Sequence, residues 1–130
     1  MIILTIRTDK PVAEVGLYDG EMQLAYETWE AHRQLSVTIH QKIDEVLKRS
    51  GKSLHDVQGI ACFQGPGSFT GLRIGLTLAN TLAYALNIPI AGRPDPRWLE
   101  TGIADLVAGK NDTLALPNYG AEAHITQQKK

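Results

Sequence analysis

The residues best suited to chemistry crowd into one stretch, Gly65-Pro66-Gly67-Ser68-Phe69-Thr70-Gly71-Leu72-Arg73-Ile74-Gly75, with four glycines, one proline and two hydroxyls in eleven positions. An apolar run, Val57 to Phe63, precedes it, and an apolar-periodic run, Leu72 to Leu86, follows. This is the pattern of a tight strand-to-helix turn. Such a turn can cradle an anion, with the backbone N–H groups of Gly67–Gly71 aimed at a phosphate from a helix N-terminus. The spacing fits neither familiar version. A P-loop needs Gly-Lys before its Ser or Thr, and no lysine lies here. A dinucleotide fingerprint needs its third glycine where Thr70 stands, and Gly71 comes one residue late. Taken alone, these residues favour tight turns and close packing over ligand binding. Ser68 and Thr70 lie in no Gly-x-Ser-x-Gly elbow, so capping the following helix suits them better than nucleophilic attack. Arg73, one turn into an otherwise apolar helix, suits a phosphate, a partner carboxylate or a local salt bridge about equally.

The remaining reactive side chains form no constellation. His32 and His40 stand eight apart, whereas a helical metal pair wants a three- or four-residue step and further ligands, and His55 and His124 are distant in sequence. Cys62 sits inside the apolar run and reads as an inert buried thiol. Tyr18, Tyr26 and Trp29 lack interleaved basic residues, so they read as core or interface and not as a base-stacking platform. No catalytic residue, metal site or cofactor is expected.

The composition is that of an ordinary globular chain. Its 130 residues allow one domain with a real core, and a formal charge of −1 gives no general electrostatic case for nucleic acid or an anionic membrane. A single cysteine rules out an internal disulfide and fits a reducing cytoplasm, the expected location. No leader segment is evident. The most apolar window, Leu72 to Ala91, is broken by Arg73, Asn80, Asn87 and Pro89, which argues against a membrane span.

These residues must be held by regular elements. Alternation predicts strands over 2–7, 12–18 and 22–29, with Asp19-Gly20 as a hairpin turn. Leu35, Ile39, Ile43, Val46 and Leu47 predict a helix over 31–49 that stops at Gly51. Ser53 can cap a short turn over 54–56. Val57–Phe63 predicts a strand buried on both faces. The Gly-rich turn then feeds a helix over 70–86 with two stripes. One is small (Gly71, Gly75, Ala79, Ala83) and one is bulky (Leu78, Leu82, Leu86); the sequence leaves open which meets the sheet. A short strand over 88–90, a helix over 96–108 ending at Gly109, a strand over 113–116 and a turn over 117–120 complete the series. The order predicts an α/β mixed sheet with helices on its faces, a ribonuclease-H-like half-domain of the actin and Hsp70 type over 1–110. Residues 111–130 form a short strand or turn and a tail.

The eleven residues Gly65 to Gly75 closely resemble the signature of the TsaB (YeaZ) family. Leu4-Thr5-Ile6-Arg7-Thr8 stands where that family has a first strand ending in Asp-Thr-Ser. Ala31-His32 with Leu35 is similar to its entry to the first helix, Asn87-Ile88-Pro89-Ile90 to the strand after the second helix, and Pro117-Asn118-Tyr119-Gly120 to its C-terminal Pro-x-Tyr. The resemblance implies a non-catalytic dimerisation subunit in the formation of N6-threonylcarbamoyladenosine at position 37 of tRNA. Such a subunit pairs with the transferase TsaD, and through it with the ATPase TsaE, without binding tRNA directly. It further implies an interface on the first two helices, with His32, Leu35, Ile39, Gly71, Arg73, Gly75, Ala79 and Ala83 as candidate contacts. The same surface could form homodimers, and a stand-alone homodimer that has lost the TsaD role is the alternative. Two departures stand out. Arg7 replaces the usual Asp and Asp9 the usual Ser, which argues against Mg-nucleotide hydrolysis. The chain is also short against the family's two half-domains and lacks most of the second.

Overall fold

A computed structural model of the chain describes residues 1–67 and 69–118, apart from the side chains of His32 and Phe69. The alternating N-terminal residues form β1 (Ile2–Arg7), which pairs antiparallel with β2 (Val12–Asp19), and β2 pairs with β3 (Met22–Glu30). Gly20 sits at φ +58 in the β2–β3 turn, the left-handed geometry that the Asp-Gly pair supplies cheaply. A 3-10 turn over His32–Gln34 leads into α1 (Leu35–Arg49), whose apolar stripe Leu35, Ile39, Ile43, Val46 and Leu47 is buried. Ser53 caps a short 3-10 turn as expected, and Asp56 answers it to complete a capping box.

β4 (Gly59–Gly65) then enters the middle of the sheet parallel to β1, and its first five residues are buried. It starts two residues later than the apolar run suggests, because Val57 closes the preceding 3-10 turn with its N–H on the Leu54 carbonyl and pairing with β1 begins at Gly59; it also ends two residues later, at Gly65. After α2 (Phe69–Leu86), the expected strand at 88–90 is displaced to β5 (Ile90–Pro94). Asn87 closes α2 in the left-handed conformation, φ 56, and Ile88 N–H donates back to Ala83, so these residues belong to the helix end. The last helix, α3 (Trp98–Val107), begins two residues later than expected because Arg97, φ 66, cannot be helical. The five strands run in the order β3-β2-β1-β4-β5. α1 and α2 cover one face and α3 packs on β4 and β5 of the other. This is the mixed sheet of a ribonuclease-H-like half-domain.

The strand expected at 113–116 is absent. Residues 110–118 instead run along the outer edge of β5, held by side chains in place of a ladder. Asn111 Oδ1 accepts from Ile90 N–H at 3.1 Å, Asp112 Oδ2 accepts from Gly92 N–H at 2.8 Å, and Asp112 N–H donates to the Ile90 carbonyl at 2.8 Å. Asn80 of α2 grips Ala115 on both sides, donating to its carbonyl at 2.9 Å and accepting its N–H at 2.8 Å. Arg93 bonds both Asp105 and Asp112, at 2.9 and 2.7 Å. Two chemically complementary amides and an acid thus do what strand pairing would do. The turn expected at 117–120 extends into Tyr119 and Gly120, which lie outside the described residues, as does His124.

Candidate functional site

The carboxyl ends of β1, β4 and β5 converge where an α/β sheet ordinarily binds a ligand. Here that position is filled by the protein's own charges. Arg7 lies between two carboxylates: Nε donates to Asp9 at 2.7 Å, and Nη1 and Nη2 reach Asp95 at 3.2 and 3.0 Å. Its Cζ stacks 3.8 Å over the Phe63 ring. Phe63 in turn meets Trp98 edge to face. The Arg7 and Asp9 side chains are only 12% and 7% exposed, whereas Asp95 is 50% exposed. Bonding to the two acids holds the guanidinium pKa above its ordinary value, against burial, the largest single influence, which acts to lower it.

The Gly-rich turn folds onto this cluster. A side chain at Gly67 would meet Asp9 Cβ at 2.5 Å, so the Asp9 side chain lies against the turn. Thr8 Oγ1 donates to the Gly71 carbonyl at 2.7 Å, and the Thr8 side chain occupies the space a Cβ on Gly75 would need. Gly65, φ +115, is closed over by the carbonyl of Asn118 and the side chain of Leu72. Pro66, Gly67 and Thr70 are exposed. Ser68 lies outside the described residues, as do the side chains of Phe69 and His32. Among the described residues there is no group of three His, Cys, Asp or Glu side chains able to hold a metal.

The small stripe on α2 therefore meets the sheet. Gly75, Ala79 and Ala83 are buried, and Leu35 and Ile39 lie in the core beneath α1. Gly75, Ala79 and Ala83 lack the bulk that would keep α2 off β1 and β4, Leu35 is buried beneath α1, and Ile39, also buried, borders the furrow described next. Gly71 is half-buried, and Arg73 is exposed.

Between α1 and α2 the surface is open. The helices run side by side but touch only briefly, because α2 sits low on its small residues while α1 stands off on leucine and isoleucine. The furrow between them comprises two adjoining hollows of about 430 and 400 Å³, which share His40 and Leu78. Its floor is Ile39, Ile43, Leu47, Ile74, Leu78 and Leu82. Ser36, Thr70, Arg73, Thr77 and Thr81 line one end and Asp44, Lys48 and Lys52 the other. Sequence reasoning found both helices but missed the furrow. The bulky Leu78 and Leu82 stripe was its signal, since a stripe that does not face the sheet must face something else.

Two other readings can be placed. Tyr18 and Tyr26 pack edge to face, and Tyr26 donates to Glu14, so burial and that carboxylate push its hydroxyl pKa well above the ordinary tyrosine range. Trp29 lies on the opposite face and donates to Thr38 of α1 at 2.9 Å. All three rings are at least partly buried and bonded within the chain. Cys62 is 1% exposed, and burial pushes its thiol up to about 12. A thiol-specific disulfide reagent at pH 7.5 is expected to leave it unmodified in the native protein and to titrate one thiol in guanidinium chloride. Native labelling within minutes would contradict the packing. No helix among the described residues is long and apolar enough to cross a membrane.

Comparisons with known proteins agree with this geometry. The family model described as "TsaD: tRNA N6-adenosine threonylcarbamoyltransferase" matches residues 29–93, half of the chain. The tRNA threonylcarbamoyladenosine biosynthesis protein TsaB of Haemophilus influenzae is 36% identical over 98% of this chain and 53% of its own length. The tRNA N6-adenosine threonylcarbamoyltransferase of Geotalea uraniireducens is 48% identical over 48% of this chain and 18% of its own. The solved structure of YeaZ from Pseudomonas aeruginosa superposes with a TM-score of 0.67 at 26% identity, over 72% of this chain and 44% of that one. The chain spans about half or less of the length of the curated relatives it matches. With the family model, the relatives and the superposition in agreement, the chain belongs to the TsaD family and, within it, to the TsaB (YeaZ) proteins.

Proposed function

We propose that the chain acts in tRNA threonylcarbamoyladenosine biosynthesis as a non-catalytic subunit that docks a TsaD-type transferase in the furrow between α1 and α2. The observation that carries this reading is the furrow itself: an apolar floor between α1 and α2 of a TsaB-family chain, with Ile74, Leu78 and Leu82 partly exposed and Ile39, Ile43 and Leu47 buried. An amphipathic helix laid into such a groove removes that floor from water. The non-catalytic part of the reading draws on the other end of the sheet, where Arg7, Asp9 and Asp95 occupy the ligand position. A TsaE-type ATPase would join through the transferase.

The furrow can be blocked without touching the core. Thr77 and Thr81 line it and are exposed, so Thr77→Trp and Thr81→Trp add bulk where only solvent stands. Each is expected to weaken binding of the cognate transferase at least tenfold, about 1.4 kcal/mol, with the melting temperature within about 2 °C of the parent. Co-expression, size-exclusion chromatography and calorimetry measure it. Undiminished affinity in both variants would place the partner elsewhere.

A further inference from the structure

The outer edge of β5, away from the furrow, carries a device of its own. A strand at the end of a sheet leaves a row of backbone N–H and C=O groups without ladder partners, and those groups are a template for another strand. On β5 the outward residues are Ile90 and Gly92, and all four of their groups are taken. Asn111 Oδ1 accepts from Ile90 N–H at 3.1 Å, and Asp112 N–H donates to the Ile90 carbonyl at 2.8 Å. Asp112 Oδ2 accepts from Gly92 N–H at 2.8 Å, and Arg93 Nη1 donates to the Gly92 carbonyl at 2.6 Å. Three of these four partners are side-chain atoms. The same Asp112 oxygen accepts from Arg93 Nη1 at 2.7 Å, and Arg93 Nε donates to Asp105 of α3 at 2.9 Å, so one network holds the cover to the edge and to the helix.

This cover is bonded, but it is not built like a strand. Asn111 and Asp112 are both exposed, and rotation about side-chain bonds releases their oxygens without unzipping a ladder. We propose that residues 110–118, with Arg93, act as a detachable cap: in place they hold the sheet to five strands, and displaced they open β5 to β3 of a second copy. The chain itself supplies that occupant. Among the described residues no strand pairs with the outer edge of β3, and β3 contains neither proline nor lysine, two residues that ordinarily blunt an edge. A β5-to-β3 seam is head to tail, so each copy that joins presents a fresh edge and assemblies grow past the dimer.

Single variants of the intact chain test the cap. Asn111→Ala and Asp112→Ala each remove one arm, whereas Asp112→Asn keeps an oxygen for Gly92 N–H and removes the charge that Arg93 holds. Amide exchange read by NMR is expected to rise at least tenfold at Ile90 in Asn111→Ala and at Gly92 in Asp112→Ala, with the β1 amides unchanged. The rise at Gly92 should be smaller in Asp112→Asn. Sedimentation velocity at tens of micromolar is expected to show species larger than dimers for Asn111→Ala/Asp112→Ala and none for the parent. Thr28→Lys, which puts a charge at an exposed position of β3, is expected to return the double variant to the parent's behaviour. Unchanged exchange in both single variants would overturn the cap. Faster exchange without larger species would overturn the growth it withholds, and assembly that ignores Thr28→Lys would overturn the β3 seam. If the double variant does not fold, the same sedimentation on the two single variants decides.

Discussion

Arg7→Met is expected to destabilise the chain by about 3 kcal/mol or more, because it leaves Asp9 buried without a counter-charge. Asp9 is 7% exposed and lies against Gly67, so water cannot readily replace the guanidinium. The Asp95 limb adds little, since that carboxylate is half in solvent and exposed ion pairs are worth a kcal/mol at most. Loss of the stack on Phe63 adds about 0.5–1 kcal/mol. Methionine keeps most of the side-chain bulk, which separates charge from packing. The control is Arg7→Met/Asp9→Ala, expected to recover a large part of the loss, because removing both partners is far cheaper than stranding one. Urea denaturation of the single and double variants measures the coupling. A single variant within 0.5 kcal/mol of the parent would show that the cluster does not hold the turn.

The second large effect concerns α2. Gly75→Leu is expected to cost about 3 kcal/mol or more and to leave much of the chain unfolded at 37 °C. A Cβ at this position falls on the Thr8 side chain, whose hydroxyl is already committed to the Gly71 carbonyl. Accommodation requires that bond to break or α2 to lift off β1, which opens the contacts of Leu72, Leu76 and Ala79 as well. Gly75→Ala faces the same collision on a smaller scale. The helix propensity gained, about 1 kcal/mol, offsets part of it. Combining Gly75→Ala with Thr8→Ala removes the obstacle and is expected to restore stability toward that of Thr8→Ala alone. Circular dichroism melts of the four proteins supply the cycle. An unchanged melting temperature for Gly75→Leu would mean that the small stripe faces outward, toward a partner, and that the packing described for α2 is wrong.

That stripe shows where sequence reasoning stops. A four-residue step of Gly and Ala says that something comes close but not what, since a sheet and a partner helix demand the same lack of bulk. Resolving it needed Thr8, 67 positions away in the chain from Gly75, and nothing local to α2 names it. The hairpin, the cap at Ser53 and α1 were legible because their signals are local: Asp19-Gly20, a serine before a short turn, and a 3.6-residue apolar period. Arg7 was legible as an oddity but not as a bridge, because Asp95 lies 88 positions on in the chain, just after β5 and two strands from β1 in the sheet. The segment after Gly109 misled for a related reason. Its apolar residues read as a strand, yet Asn111, Asp112 and Asn80 supply the bonds a strand would have made, and no period announces a side chain that substitutes for backbone.

That substitution also makes the two ends of the sheet unequal. On β5 the outward donors of Ile90 and Gly92 and the carbonyl of Ile90 are all engaged by residues 111 and 112. β3 ends the sheet on the other side, and among the described residues no strand pairs with its outer edge. A strand added at the β5 side would have to displace Asn111 and Asp112, so among the described residues growth of the sheet by a further strand is blocked at one end and not at the other.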